Sequence, residues 1–307
     1  NANINETHRA VFLYQKDEDS LPSGGYNRFS SNWVYYAPEI ERTSLTLYSD
    51  WNDKLSTKIR YSNYEYLSDP YSPGLTFPEM TIEVGRDAIR LGGERYRAAN
   101  MVDTESDYLS FKATYDMGNH VISAGIDYEE TNFYNLFISR YNGEVVFDSI
   151  DDYEAGEYSY LRFHVPQTGI LNVDDVAARF DLEKTTLYIQ DKIYMGNLTL
   201  DVGVRLDDVS TPQAPLLNQK FLARNGFGND VAFDMSVVQP RIGFNYEASE
   251  SLFGSIDRII SAEIRGGYGL FMGRIPNVWY SNAYTRSGGL SDYLKVYGWD
   301  DNLASFR

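Results

Sequence analysis

The fold is decided by residues 187–207, which read LYIQDKIYMGNLTLDVGVRLD. From Leu198 to Leu206, apolar residues occupy every second position, and polar or small residues lie between them. A period of two is the signature of a β-strand with one apolar and one polar face. The alternation is interrupted at Gly196, and glycine accommodates the backbone of a tight turn. The stretch therefore predicts a β-hairpin.

The same unit recurs along the chain. Residues 43–62, 109–128 and 238–270 repeat the alternation, and an isolated candidate strand lies at residues 8–14. Together these patterns predict about nine strands. Short turns near residues 52, 118 and 196 join the two strands within a unit. Long segments separate the units, at about residues 17–40, 68–106, 140–178, 208–236 and 273–307.

This strict sorting of short and long connections is typical of a transmembrane barrel, which has short periplasmic turns and long extracellular loops. We therefore predict an all-β fold, an antiparallel transmembrane β-barrel with long extracellular loops. The alternative is a large soluble sheet with charged residues on its solvent face, because alternating antiparallel sheets are common in water as well.

Composition excludes several classes of protein. Lys plus Arg number 27 against 44 Asp plus Glu, and the formal net charge of −17 argues against nucleic acid as a partner. The chain has no Cys, which excludes disulfides, thiolate metal sites and a Cys nucleophile. The mean hydropathy of −0.42 argues against a helical membrane span but not against barrel strands, which face lipid with every second residue. Motifs of hydrolases, zinc proteases and nucleotide-binding loops are absent, so we do not expect an enzyme.

Several segments resemble a known family. Residues 187–191 and 197–207 resemble the strand–turn–strand signature in the barrel of TonB-dependent outer-membrane receptors. Residues 118–129, 239–246 and 264–279 are similar to the Oar-like branch of that family. The resemblance extends from about residue 107 to 285 and consists of degenerate barrel motifs.

The resemblance implies a segment of a large barrel of about 22 strands in the cell outer membrane of a Gram-negative bacterium. It implies that the extracellular loops bind a ligand, which is imported by TonB-coupled active transport. The expected partners are outer-membrane lipid and a periplasmic TonB-type energy-transducing protein, which acts through a plug. No plug is recognisable, and nine strands alone would leave unpaired edges in lipid. We therefore expect residues 1–307 to be part of one barrel domain whose plug and remaining strands lie outside this chain.

Aromatic residues in the predicted outer loops are candidates for ligand binding, because they supply contact area at low entropic cost. These residues are Trp33, Tyr35, Tyr36, Tyr280, Tyr284, Tyr293, Tyr297 and Trp299. Anchoring in an interfacial aromatic girdle is the competing interpretation for aromatics near the strands.

Charged residues on the polar strand faces are expected to face the lumen or a plug, and they are Lys58, Arg60, Lys112, Asp201, Arg205, Arg241, Glu263 and Arg265. Ion pairs that hold the strands in register are the structural alternative, with a charge ladder of Arg205, Arg241 and Arg265 beside Asp201 and Glu263. Four carboxylates of one loop could hold Ca²⁺, namely Asp148, Asp151, Asp152 and Glu154. A solvated acidic loop without a cofactor is the favoured interpretation of that loop.

Two other functions remain open. The first alternative is an outer-membrane scaffold or conduit component that binds other surface or secreted proteins through its acidic, aromatic loops. The second is a soluble carbohydrate-binding β-sheet protein, which leaves the asymmetry between short turns and long loops unexplained.

Overall fold

A computed structural model describes residues 1–167, 172–248, 262–285 and 290–298. The strands in these residues are β1 (Ala2–Asn3), β2 (His8–Glu18), β3 (Leu21–Ser23), β4 (Val34–Tyr36), β5 (Pro38–Asp50), β6 (Leu55–Ser68), β7 (Glu79–Val84), β8 (Asp87–Leu91), β9 (Asn100–Asp116), β10 (His120–Phe137), β11 (Glu144–Phe147), β12 (Tyr160–Pro166), β13 (Ala178–Met195), β14 (Leu198–Ser210), β15 (Asp234–Glu247), β16 (Glu263–Gly269) and β17 (Ser291–Tyr297). The described α-helices are α1 (Ile150–Ala155), α2 (Gln219–Asn225) and α3 (Asn277–Thr285). In the described part of the chain, no helix has the length and apolar character of a membrane span.

Ten strands form one sheet in the order β1-β2-β5-β6-β9-β10-β13-β14-β15-β16. Every neighbouring pair in this sheet is antiparallel. The nine predicted strands are confirmed, and the short β1 is the tenth. The strands are longer than predicted, reaching 18 residues in β10 and β13. A transmembrane strand needs only about 9–11 residues, so these strands extend well beyond a bilayer core.

The short and long connections lie at opposite ends of this sheet. The turns of residues 51–54, 117–119 and 196–197 join β5 to β6, β9 to β10 and β13 to β14. Gly118 and Gly196 have positive φ angles of 84° and 62°, which glycine adopts without strain. The connections at the other end are residues 19–37, 69–99, 138–177 and 211–233, so they are 19 to 40 residues long. They contain all the remaining described strands before residue 234. We call these two ends the turn end and the loop end.

One face of the ten-stranded sheet is apolar. Rows of directly opposed side chains cross seven strands, and the central row is Leu47, Ile59, Phe111, Ile126, Leu187, Leu206 and Val238. Phe111, Ile126 and Leu187 are 41, 45 and 47 % exposed. So many exposed apolar side chains in adjacent rows form a patch far larger than soluble monomers expose, as expected of a surface that faces lipid. We call this the outer face and the opposite one the inner face.

Towards the loop end, the outer face becomes acidic. Glu41, Glu65 and Glu105 are directly opposed on three adjacent strands. One row closer to the apolar band, Asp107 and Glu130 are opposed in the same way. A cluster of acidic side chains therefore lies on the outer face, beyond the apolar rows.

A second sheet assembles from the long connections, in the order β17-β12-β11-β7-β8. We call it the loop sheet. The sequence predicted long loops over residues 68–106, 140–178 and 273–307 without strands of their own, whereas β7, β8, β11, β12 and β17 form within them. These strands have four to seven residues, and the central pair of β7 and β11 is parallel. Strands this short, paired across distant segments, leave little local periodicity to read. A further small sheet pairs β3 with β4.

Candidate functional site

The predicted lumen-facing residues all lie on the inner face. Lys58 is opposite Lys112, Arg241 is opposite Gly269, and each alternates along its strand with residues of the apolar rows. The register places the other five on the same face, namely Arg60, Asp201, Arg205, Glu263 and Arg265. Contact of this face with a plug stays a prediction.

The ion pairs of the inner face differ from the predicted charge ladder. Arg205 pairs with Asp207 on its own strand at 2.8 Å, and its distance to Asp127 is 4.0 Å. Asp201 instead accepts a hydrogen bond from Gln190 at 3.3 Å. The guanidinium of Arg241 lies 5.3 Å from the centre of the Phe271 ring. The register accounts for this difference, because Gln239 is opposite Arg205 and Gly243 is opposite Asp201, so at these positions no charges of opposite sign face each other between β14 and β15.

Two of the predicted ligand-binding aromatics are packing residues in this structure. Tyr284 stacks on the buried Phe180 with the ring centres 4.8 Å apart, and Tyr280 lies 5.0 Å from Phe233. Their helix, α3, rests on the inner face near the loop end, where Ser281 accepts a hydrogen bond from Asn135 at 2.6 Å. Helix α3 thus covers part of the inner face of β10 and β13.

The other predicted aromatics lie among the long connections. Trp33 donates to the carbonyl of Arg28 at 3.3 Å, and Tyr35 stacks on Tyr71 with ring centres 5.1 Å apart. Tyr36 lies under the guanidinium of Arg97 at 5.2 Å. On β17, Tyr293 and Tyr297 are half exposed and contact His164 and Tyr160. Trp299 lies outside the described residues. Ligand binding by these aromatics stays a prediction.

The acidic loop, with Asp148, Asp151, Asp152 and Glu154, contains the N-cap and the first turn of helix α1. Ser149 caps α1 by accepting from the backbone N–H of Asp152, and its hydroxyl donates to the Asp152 carboxylate at 2.6 Å. Asp148, Asp151 and Glu154 are exposed. Within the described residues, no three His, Asp or Glu side chains come together in a way that could hold a metal ion. The proposed Ca²⁺ site therefore gains no support and stays a prediction.

A buried charge cluster, which the sequence pattern did not predict, lies at the centre of the loop sheet. Glu79 of β7 and Glu144 of β11 are directly opposed, and each is 1 % exposed. Glu144 is bound by three arginines, with Arg95 Nη1 at 2.6 Å, Arg140 Nε at 2.5 Å and Arg162 Nε at 2.6 Å. Arg95 lies between the two carboxylates, because its Nη1 is also 3.6 Å from Glu79 and its backbone N–H donates to Glu79 at 3.1 Å.

The arginines determine the ionisation of the cluster. Burial acts to raise the pKa of Glu144 above its ordinary value of 4.5. Hydrogen bonds from Arg162 and Arg140, together with the charge of Arg95, outweigh burial and lower the pKa to about 2. The hydrogen bond to Glu144 in turn raises the pKa of Arg162. For the nearby Glu94, burial prevails over its hydrogen bond from Tyr96 and raises the pKa.

The charge cluster connects three of the long connections. Glu79 and Arg95 belong to residues 69–99, and Arg140, Glu144 and Arg162 belong to residues 138–177. Asn32, from residues 19–37, is fully buried and donates to Glu79 Oε2 at 3.2 Å. One sequence signal could have revealed the charge cluster. Four arginines lie between residues 86 and 97 in an otherwise acidic chain.

An open cavity of about 550 Å³ lies on the inner face near the loop end, at β5, β6, β9 and β10. The rings of Tyr64, Tyr66, Tyr108 and Phe133 line it, together with Arg42 and Arg274. Arg274, just before α3, forms an ion pair of 2.9 Å with Glu129 of the cavity wall. Its volume falls in the range of sites that bind small organic ligands.

An antiparallel meander with an apolar outer face, a polar inner face and sorted connections is the wall of an outer-membrane β-barrel. The family model described as TonB dependent receptor-like, beta-barrel matches residues 2–298, and the chain belongs to this family. It is thus a β-barrel segment of the outer membrane of a Gram-negative bacterium. The Oar-like branch is not addressed by this match and stays a prediction. No curated protein sequence matches the chain.

The chain is also similar to solved structures. Two structures of the FrpB iron transporter from Neisseria meningitidis share 13 % and 12 % identity with the chain, at TM-scores of 0.46 and 0.47. The aligned region covers 80 % of this chain and 32 % and 33 % of FrpB. BauA, the ferric preacinetobactin receptor from Acinetobacter baumannii, shares 9 % identity at a TM-score of 0.39, with 86 % of this chain and 43 % of BauA covered. The chain therefore spans about a third of FrpB and less than half of BauA.

Proposed function

We propose that this protein binds a ligand at the loop end of its barrel and imports it by transport coupled to a periplasmic TonB-type protein. The observation that carries the proposal is the folded loop sheet at one end of a lipid-facing wall, above an open cavity on the inner face. Capture of a solute requires an ordered surface, which the loop sheet provides. Its passage requires a polar interior, which the inner face provides. We expect no catalytic function, in keeping with a family of receptors.

The described sheet is proposed to be part of one barrel domain with further strands and a plug. Among the described residues, β1 and β16 each have one neighbour in the sheet and so present unpaired edges. A bilayer does not tolerate open sheet edges, because the backbone groups there find no hydrogen-bond partner in lipid. The denatured intact mass of the protein isolated from membranes tests this, and a mass near 35.1 kDa would contradict it.

Deletion of the energy-transducing protein tests the import proposal. Spent medium from four strains, with and without this protein and with and without the TonB-type protein, is compared by untargeted mass spectrometry. We expect at least one solute to be depleted only when both proteins are present. Depletion that needs this protein but not the TonB-type partner would contradict coupled transport.

A second candidate is a scaffold or conduit that binds other surface proteins. The charge cluster favours it, because it holds three long connections in one rigid loop sheet, and a preformed surface suits a protein partner. Pull-down of surface proteins with the intact receptor tests this role. A scaffold would retain its partners in a strain without the TonB-type protein.

A further inference from the structure

One carboxylate lies among the apolar rows of the outer face. Asp191 of β13 is directly opposite Ile122 of β10 and Val202 of β14. Along its own strand it shares the outer face with Ile189 and Ile193. Between the central apolar row and the turn end, no other Asp, Glu, Lys or Arg lies on the outer face of the described strands. A charged group is costly on a surface that faces lipid, so an ionisable residue there indicates a functional site.

The partner of this carboxylate is a histidine at the start of β10. The Nδ1 atom of His120 lies 2.7 Å from Asp191 Oδ2. An ionised carboxylate only accepts hydrogen bonds, so Nδ1 is the donor and carries the ring proton. The other ring nitrogen, Nε2, has no hydrogen-bond partner among the described residues, and the His120 side chain is 45 % exposed. In the neutral imidazole, Nε2 is therefore a free acceptor on the outer face.

The pair has an unsatisfied negative charge. Asp191 Oδ1 is buried and has no hydrogen-bond partner within the described part of the chain. No Lys or Arg of the described residues forms an ion pair with Asp191. With a neutral imidazole, the pair therefore carries one negative charge beside a free acceptor. A primary ammonium complements both features, because it brings a positive charge and N–H donors.

An apolar groove of about 470 Å³ lies in the outer face between this pair and the central apolar row. Ala113 and Ala124 are directly opposed on β9 and β10, and their small side chains form a depression in the wall. Larger apolar side chains border it, namely Phe111, Ile126, Leu187, Ile189, Val204 and Leu206. Ile189 is two residues from Asp191 on the same face, so the groove and the pair are adjacent.

Further strands of the barrel do not cover this site. The strands β9, β10, β13 and β14 are successive neighbours in the sheet, and each has a partner on both sides. Strands added beyond β1 or β16 extend the wall elsewhere, and a plug lies inside a barrel, against the inner face. The pair and the groove therefore face the bilayer in the complete barrel as well.

We infer that the pair and the groove bind one phospholipid with a primary-ammonium headgroup, of the phosphatidylethanolamine type. The ammonium donates to His120 Nε2 beside the charge of Asp191, and one acyl chain lies in the groove. The turn end is the periplasmic end of such a barrel. A headgroup at the turn end with its chain directed towards the central row has the orientation of a lipid in the periplasmic leaflet. The site lies outside the barrel, so it serves an importer and a scaffold alike.

The test titrates the full-length protein, in a detergent without phosphate, with three phospholipids of identical acyl chains and follows binding by native mass spectrometry. Phosphatidylethanolamine has ammonium N–H donors, phosphatidylcholine has the same charges without those donors, and phosphatidylglycerol has no ammonium. We expect one phosphatidylethanolamine molecule to bind per protein, at least about tenfold more tightly than either of the other lipids. Equal binding of the three lipids, or tighter binding of phosphatidylglycerol, would overturn the inference.

Variants locate the site. Asp191→Asn removes the charge and is expected to weaken phosphatidylethanolamine binding by about tenfold, to the level of the other two lipids. Ala124→Leu fills the groove and is expected to weaken the binding of all three lipids, because they share the acyl chain. Asp208→Asn is the matched control, since Asp208 is a carboxylate of the outer face on the loop-end side of the central row. Unchanged lipid binding in both Asp191→Asn and Ala124→Leu would refute the site.

A further variant distinguishes lipid binding from a purely structural role of the pair. His120→Phe keeps a ring on the outer face but removes both nitrogens. We expect it to abolish the preference for phosphatidylethanolamine over phosphatidylcholine, because the acceptor for the ammonium is lost. If the pair only held β10 and β13 in register, His120→Phe and Asp191→Asn would lower the unfolding temperature and leave the lipid preference unchanged. That result would contradict the inference.

Discussion

Glu144 illustrates how a single residue stabilises the loop sheet. Its carboxylate is 1 % exposed and neutralised by Arg95, Arg140 and Arg162. Glu144→Gln removes the charge but keeps the shape, leaving the arginines without their counterion, and breaking a buried ion pair costs about 3–5 kcal/mol. We expect faster proteolysis and hydrogen exchange in residues 138–177, with the strands of the ten-stranded sheet unaffected. Glu154→Gln, at an exposed position of the same connection, serves as the control and is expected to change nothing.

The stability of the loop sheet is expected to depend on pH through the carboxylate of Glu144. Because the pKa of Glu144 is lowered from 4.5 to about 2 in the folded protein, its ionised form stabilises the loop sheet above pH 4.5. This stabilisation is expected to decline as the pH falls from about 4.5 towards 2 and to be constant between pH 5 and 7. Hydrogen exchange of β11 and β12 measured across this range checks it. Loss of protection between pH 7 and 5 would contradict the assignment.

Gly125, on the inner face of β10, allows the Tyr188 ring and the backbone of Phe111 to lie close to its Cα. A Cβ built there would lie 2.5 Å from the Tyr188 ring and 2.7 Å from the carbonyl oxygen of Phe111. Gly125→Ala is therefore expected to lower the unfolding temperature. The control is Gly243→Ala, where the nearest atom would be 3.8 Å away. Equal unfolding temperatures for the two variants would show that the ring of Tyr188 and the adjacent backbone adjust freely.

Among the strands, the acidic rows of the outer face destabilise the ten-stranded sheet by charge repulsion. Like charges that face each other across neighbouring strands destabilise a sheet, and Glu65 lies between Glu41 and Glu105. Glu65→Gln is expected to stabilise the purified protein by less than about 1 kcal/mol at low salt, with the gain shrinking as salt screens the repulsion. Asp208→Asn is the control, because Asp208 is opposite Thr185 and Ser236. A gain in stability that does not change with salt concentration would show that repulsion between the glutamates is not its cause.

The sequence predicted the strands that a local pattern defines, and it did not predict those that form by pairing with distant segments. The strand β14 was readable because a two-residue period is local and every residue from Leu198 to Leu206 obeys it. The pairing of β7 with β11 was not readable, because it joins Glu79 to Glu144 across a separation that no local pattern spans. The loop-end extensions of β9 and β10 were missed because acidic residues replace the apolar ones on the outer face there.

The same limit applies to the candidate site. Residue types identified the polar inner face, because alternation assigns each residue to a face. They did not identify the cavity, which requires residues from four strands and the segment before α3 to converge. They also placed Tyr280 and Tyr284 among binding residues, since a packed and a ligand-contacting tyrosine look alike in a sequence.

For the whole molecule, we infer that the outer face of the ten-stranded sheet contacts lipid and the inner face does not. Residues 1–307 contain no Cys, so a single cysteine introduced among them has no background from this part of the protein. Phe111→Cys and Lys112→Cys are adjacent on β9 and lie on opposite faces. With a bimane label on each and brominated lipid in the bilayer, we expect strong quenching at position 111 and little at position 112. Equal quenching at the two positions, or none at position 111, would show that the outer face is not the face in contact with lipid.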